Sequence, residues 1–334
     1  MGFLIDCGLL PGVSAFHGES ELQQMAALIE LEGLTKDYGS FRALSDITLR
    51  FEPGVTGLLG PNGAGKSTLI RILLGLARVT CGRGHVLGIP LGSELSRVRS
   101  QVGFMPEDDC YLHGLSGIET LQMAGRLSGL PALEALRRGH EILDFCGAGQ
   151  ERYRPVETYS TGMRQKLRFA MAIVHDPQLL ILDEPTTGLD PEEREAMLNR
   201  VRILWRDFGK SVLLCTHILP DVQAVCERVV ILARGTVRVS GSLEELCRTA
   251  EPSLSVTAGG GVEPLVSELA RRGLSAEIRE VNQLRLAGSA ETCGQALWEA
   301  AAVTDSVIRG IEPARNSLEQ IFLEAVGEVR RANT

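Results

Sequence analysis

The segment Gly60, Pro61, Asn62, Gly63, Ala64, Gly65, Lys66, Ser67 and Thr68 constrains this chain more than any other. It follows a continuous apolar run, VTGLLG at 55–60, and precedes LIRILLGLA at 69–77, whose apolar residues recur with helical spacing. Strand, glycine-rich turn and helix in that order are the context in which G-x-x-x-x-G-K-[ST] binds phosphate. The glycines let successive backbone N–H groups turn toward one anion, and the helix start adds the positive end of its dipole. Lys66 supplies a mobile point charge to β and γ phosphates, a task for which the planar fork of Arg is a poor replacement. Ser67 is placed to coordinate Mg²⁺. Only four of the 34 basic residues are Lys, so a lysine inside a motif is informative here.

The surrounding texture sets the fold class. Residues 28–33 (LIELEG) and 47–51 (ITLRF) alternate apolar and polar, as half-buried antiparallel strands do. LLILD (179–183), SVLLCT (211–216) and RVVILA (228–233) are continuous apolar strands separated by helical stretches, the pattern of a parallel sheet covered on both faces. Residues 117–175 are expected to form an inserted, mostly helical lobe. After about residue 250 the pattern resets through EPSLSVTAGGG. A βαββαβ order then predicts a small separate α/β domain: a strand at SLSVT, a helix closed by Gly273, and two strands about Asn282 and Gln283. A helix at 292–303, a strand at 306–311 and a last helix from Ser317, with Gln320 completing a capping box, follow.

LLILDEP (179–185) ends an apolar strand in two carboxylates, with Asp183 lying 117 residues after Lys66. Ligands of open α/β folds sit where such strand ends emerge. Asp183 is placed to join the Mg²⁺ shell and Glu184 to orient and deprotonate a water attacking the γ phosphate.

Two further segments narrow the class. Tyr159, Ser160, Thr161, Gly162, Met163, Arg164, Gln165 and Lys166 open a helix with apolar residues at 163, 167, 170, 171 and 174. This stretch resembles the signature of ATP-binding cassette (ABC) proteins, with Thr161 and Met163 where the commonest form has Gly and Gln. Over about residues 27–245 the remaining segments fall in the same order. Thr187-Gly-Leu-Asp190 resembles the family's D-loop, His217 its switch histidine toward the γ phosphate, and Tyr38 its adenine-stacking aromatic. FMPEDD (104–109) stands where the family usually presents Gln, so Glu107 is the expected Mg²⁺ ligand there. The FMPE and YSTGMRQKL forms are similar to the ATPase subunits of ABC-2 type exporters. The C-terminal segment resembles the accessory domain that many of those subunits carry.

The resemblance implies a P-loop (RecA-like) ABC ATPase core with an antiparallel β subdomain and a helical subdomain, plus the small C-terminal α/β domain. The expected division is 1–24 as an N-terminal extension open to disorder, 25–250 as the cassette and 251–334 as the accessory domain, with Met25 an alternative start. It also implies ATP and Mg²⁺ as ligands, a second copy that places its Ser160 turn over this copy's ATP, and a separate integral-membrane permease. The chain is then expected to be cytoplasmic and peripheral on the inner face of the cell membrane.

Composition removes other classes. No apolar run approaches the roughly 18 residues of a spanning helix. Net charge is −8, and residues 25–250 carry 27 acids against 26 bases, so no basic surplus marks a nucleic-acid binder. The first basic residue is Lys36, which leaves no positive n-region for a signal peptide. Eight cysteines without a CxxC pair suit reduced thiols. An ABC ATPase of translation, repair or chromosome maintenance is the alternative, and it usually brings tandem cassettes, coiled-coil arms or zinc modules that this sequence lacks. A P-loop GTPase or kinase is the third possibility, without the N-K-x-D that selects guanine.

Overall fold

The computed structural model describes residues 27–248, 252–314 and 316–331. The N-terminal extension and Met25 lie outside the described residues. The chain opens with a hairpin of β1 (Ile29–Tyr38) and β2 (Phe41–Phe51). In β1 the alternation of the sequence appears directly, with Ile29 and Leu31 buried and Glu30 and Glu32 exposed. A bulge after Leu31 lets Leu34 turn inward as well.

β3 (Val55–Leu59) leads through the glycine-rich turn to α1 (Lys66–Leu73). β4 (Cys81–Val86) and β5 (Ile89–Pro90) then extend the hairpin into an antiparallel sheet of order β2-β1-β4-β5. α2 (Leu95–Gln101) and β6 (Val102–Met105) precede the helical lobe. The lobe is α3 (Gly117–Leu127), α4 (Ala132–Phe145) and, after two 3₁₀ turns, α5 (Thr161–Ile173). β7 (Leu179–Asp183), α6 (Pro191–Arg206), β8 (Ser211–Cys215), α7 (Leu219–Val225), β9 (Arg228–Ala233), β10 (Thr236–Ser242) and α8 (Leu243–Cys247) complete the cassette.

The central sheet runs β10-β9-β3-β8-β7-β6 and is parallel except for the edge strand β10. Successive residues of its inner strands enter different cores. Leu180, Leu182, Val212, Leu214, Val229 and Ile231 join a cluster with the helical lobe and α6. Leu179, Ile181, Leu213, Cys215, Val230 and Leu232 join another with α1 and the antiparallel sheet. Both faces are dry, which is why these strands read as unbroken apolar runs rather than alternating ones.

The C-terminal segment forms β11 (Ser253–Gly259), α9 (Glu263–Arg271), β12 (Ala276–Glu280), β13 (Gln283–Ala287), α10 (Ala290–Val303), β14 (Val307–Pro313) and α11 (Leu318–Arg331). Its strands make an antiparallel sheet of order β12-β13-β11-β14 over a core of its own, centred on Val256, Leu265, Leu284, Leu286 and Leu297. The last helix does not share that core. Leu318 and Ala325 of α11 are buried in the cassette cluster, with Ile321 and Phe322 packed beside them, and α11 lies against α7, α8, β9 and β10. The capping box expected at its start is half formed: the Gln320 N–H donates to Ser317 Oγ at 3.1 Å, but the Gln320 side chain turns to Glu324.

Helix α11 therefore contributes to the stability of the cassette from the far end of the chain. Leu318→Ala is expected to destabilise the protein by about 2–5 kcal/mol, measured by urea denaturation. A change below about 0.5 kcal/mol, the range of a surface substitution, would show that α11 is not docked there.

Candidate functional site

Three segments far apart in sequence leave the central sheet side by side. β3, β8 and β7 are neighbours, and Leu58, Cys215 and Asp183 are level across them in parallel register. The turn after β3, the acidic pair at the end of β7 and the residues after β8 consequently open onto one cleft of about 210 Å³. Its walls include Pro61 to Thr68, Glu107, Asp183, Glu184 and His217.

The glycine turn has the backbone that the motif predicts. Gly65 has φ +107°, a conformation that side chains disfavour, and a Cβ there would stand 2.9 Å from the Ala43 carbonyl and 2.6 Å from Leu44. The first-turn amides of α1 face the cleft without intrahelical partners, as at any helix start. Lys66 Nζ folds back on its own loop, donating to the Gly60 carbonyl at 2.5 Å and the Pro61 carbonyl at 3.3 Å. A phosphate oxygen can replace either acceptor.

Glu184 is the most constrained residue of the site. Its side chain is buried, and its backbone sits at φ +49°, unusual for a residue with a Cβ. Several bonds hold it there. Its N–H donates to the Cys215 carbonyl at 2.8 Å, and Gln165 Nε2 donates to its carbonyl at 3.0 Å. Thr216 and Thr187 hydroxyls donate to Oε2 at 3.0 and 3.2 Å, and the His217 N–H donates to Oε1 at 3.1 Å. His217 Nδ1 lies 2.8 Å from the same Oε1, which places its proton on Nδ1 when Glu184 is ionised.

Asp183 is half-buried. Burial, reinforced by the negative charges of Glu107, Glu184 and Asp108, raises its pKa to about 6, while Lys66 opposes the shift. Crowded carboxylates beside the Ser67 hydroxyl are a hard oxygen donor set, which fits a magnesium ion. Among the described residues no group of three or more His, Cys, Asp and Glu is arranged to hold a metal alone. Mg²⁺ needs no such cage, because it keeps waters and takes phosphate oxygens as ligands. Ser67, Asp183 and Glu107 are the side chains that would hold it here, and it would supply charge neutralisation at the phosphates.

Ser160, Thr161, Gly162, Met163 and Asp190 are not part of this cleft's wall. Ser160 caps α5 by accepting from the Met163 N–H at 3.3 Å, and Ser160 and Thr161 are exposed. Gly162 packs so tightly on the Glu193 carboxylate that a Cβ would collide with it. Asp190 caps α6 by accepting from the Glu193 N–H at 2.8 Å. The side chain of Met163 is partly buried against the core. The signature turn and the D-loop thus form a second, separate surface joined through Glu193.

The aromatic in the cleft wall is Phe41, 63% exposed, and Tyr38 stands outside that wall. Tyr38 pairs with Phe41 across the tip of the hairpin, and its ring carries the Lys36 ammonium 4.6 Å from its centre. A short hairpin turn keeps the two aromatics together, Tyr38 being the one the family resemblance names and Phe41 the one in the wall. Gln165, Thr216 and Arg168 were also missed, since their roles arise from contacts with distant backbone.

The family model for the ABC transporter matches residues 44–187. The daunorubicin/doxorubicin resistance ATP-binding protein of Streptomyces peucetius is 42% identical over 224 residues, covering 67% of this chain and 68% of that protein. The chain belongs to the ABC transporter ATP-binding proteins. The Nod factor export ATP-binding protein I of Cupriavidus metallidurans is 35% identical over 66% of this chain and 73% of its own length. A solved ATP-binding subunit of an ABC transporter superposes with a TM-score of 0.60 at 32% identity, covering 66% of this chain and 91% of that one. The fold is accordingly that of an ABC ATPase cassette.

The raised pKa of Asp183 has a measurable consequence in metal-free, nucleotide-free protein. Between about pH 4 and 6 the folded state binds a proton that the unfolded chain has released, so this group's contribution to stability is lost as pH rises through that window. Asp183→Asn is expected to flatten that part of the melting temperature against pH curve and to raise stability at pH 7. An unchanged curve would refute the burial of Asp183 among like charges.

Proposed function

We propose that this chain is the ATP-hydrolysing subunit of an exporter, working with Mg²⁺ as a homodimer on the cytoplasmic face of a separate membrane permease. The observation that carries the reading is the buried, many-times anchored carboxylate of Glu184 in the same cleft as Lys66, Asp183 and His217.

Each residue then has a defined task. The backbone of Gly60 to Thr68 cradles the phosphates, and Lys66 exchanges its loop carbonyls for β and γ phosphate oxygens. Glu184 accepts a proton from the attacking water, held in place by the two threonine hydroxyls and the His217 amide. His217, 61% exposed at its side chain, is free to swing from Glu184 to the γ phosphate. Phe41 offers its ring to the base. Ser67, Asp183 and Glu107 would hold Mg²⁺, which when bound would offset charge at the phosphates.

Dimerisation is supported by what one copy lacks. Its cleft is smaller than the roughly 300–1,000 Å³ of pockets that enclose a small molecule, and the Ser160 turn stands apart from it. A head-to-tail pair would bring the turn of one copy, with its exposed Ser160 and Thr161, over the nucleotide of the other. ATP that binds the closed pair more tightly than the open one drives closure, and hydrolysis releases it. No helix among the described residues is long and apolar enough to cross a membrane, so the exporter reading places the cargo path in another polypeptide. Export is supported by relatives named for antibiotic resistance and for Nod factor export. Their cargoes differ, so cargo choice is assigned to the permease.

Glu184→Gln is expected to lower ATP turnover by about 100-fold or more, within the range for loss of a general base, while nucleotide binding persists. Lys66→Ala is expected to weaken binding of a fluorescent ATP analogue instead. Normal turnover in the first variant, or normal affinity in the second, would remove that residue from its role. Purification from native membranes in mild detergent should bring down an integral membrane protein, identified by mass spectrometry, and its absence would count against the exporter reading.

A further inference from the structure

Arg168 is a buried cation in the middle of α5, two turns beyond the Ser160 cap. Its guanidinium does not serve a buried ion pair. Asp109, partly exposed, is 4.0 Å from Nε, at the limit of an ionic contact. The other nitrogens are spent on neutral oxygens. One donates to the carbonyls of Pro106, at 3.1 Å, and of Glu107. The other donates to Gln165 Oε1. Gln165, itself buried, passes the connection on, with its Nε2 donating to the Glu184 carbonyl at 3.0 Å and toward the Thr187 carbonyl at 3.5 Å.

Arg168 and Gln165 together thus tie the backbones of two residues that face the same cleft. Burying a charge is costly unless its hydrogen bonds are satisfied, and a neutral residue of similar size would pack here without that cost. The guanidinium fork supplies what an apolar side chain lacks: donors aimed in fixed directions at two separate acceptors. Glu107 is on an exposed loop with no regular structure of its own, and Glu184 is in a strained backbone conformation. Both need an external brace.

We propose that Arg168, acting through Gln165, is a positioning residue that sets the separation between Glu107 on the metal side of the cleft and Glu184 on the water side. This rests on the ATPase reading of the site. Because Arg168 belongs to the helix that begins at the signature turn, movement of that turn is transmitted to both carboxylates together.

Three variants test it: Arg168→Met, Arg168→Lys and Gln165→Ala. Turnover, KM for ATP and the Mg²⁺ concentration that half-saturates binding of a fluorescent ATP analogue are measured for each in the full chain. Supporting groups of this kind typically govern about 10–100-fold in metal affinity or activity. Arg168→Met is expected to lower kcat by about 10-fold, leave KM within about twofold and raise the half-saturating Mg²⁺ concentration several-fold. Gln165→Ala, which cuts only the branch to Glu184, should lower kcat without moving the Mg²⁺ midpoint. Arg168→Lys should recover part of both losses. If Arg168→Met does not fold, the contrast between Arg168→Lys and Gln165→Ala in the Mg²⁺ midpoint decides.

The proposal is overturned if Arg168→Met keeps wild-type kcat and Mg²⁺ midpoint. It is also overturned if activity falls with thermal stability while the midpoint stays fixed in every variant, the signature of a packing role alone. Binding of the analogue by the unaltered protein tests the ATPase reading; the differences among variants test Arg168.

Discussion

Parallel pairing of β3, β8 and β7 is the constraint on which everything else in this protein depends. Level register at Leu58, Cys215 and Asp183 brings the glycine turn, the switch histidine and the acidic pair out at one edge of the sheet. A parallel sheet needs both faces covered, and the chain meets that demand with two different layers, the antiparallel hairpin sheet with α1 on one side and the helical lobe on the other. The lobe is therefore both the cover of the core and the carrier of the signature turn.

Within the site, charge is held out of balance. Burial, together with the charges of Glu107, Glu184 and Asp108, raises the pKa of Asp183, and the Lys66 ammonium opposes the shift. The Glu184 carboxylate accepts from two hydroxyls and a backbone amide, and those bonds fix its orientation in the cleft.

The C-terminal domain is joined to the cassette by more than its connecting segment. Its β-sheet and two helices close a core of their own, yet α11 returns to α7, α8, β9 and β10. β9 lies directly beside β3. A helix at the end of the chain therefore buttresses the strand next to the one that presents the phosphate loop, a route by which the appendage can influence the cassette's stability.

The sequence by itself determined the family and the candidate residues. The Gly60–Thr68 turn, the Asp183-Glu184 pair, the Ser160 turn and His217 could be picked out because each stands in a short run of chain neighbours, and apolar runs revealed the strands between them. The β subdomain, helical lobe and C-terminal βαββαβ order were legible for the same reason, since local periodicity reports which face of each element is buried. Tertiary structure decided what depends on residues brought together from afar. It put Phe41 in the wall of the cleft, at the far side of the hairpin tip from Tyr38. It assigned Arg168 and Gln165 to the backbones of Glu107 and Glu184, and it docked α11 on the cassette instead of on its own domain. Hydrogen bonds to backbone carbonyls leave no mark in a sequence, because every residue offers the same acceptor and only folding determines which one a side chain reaches.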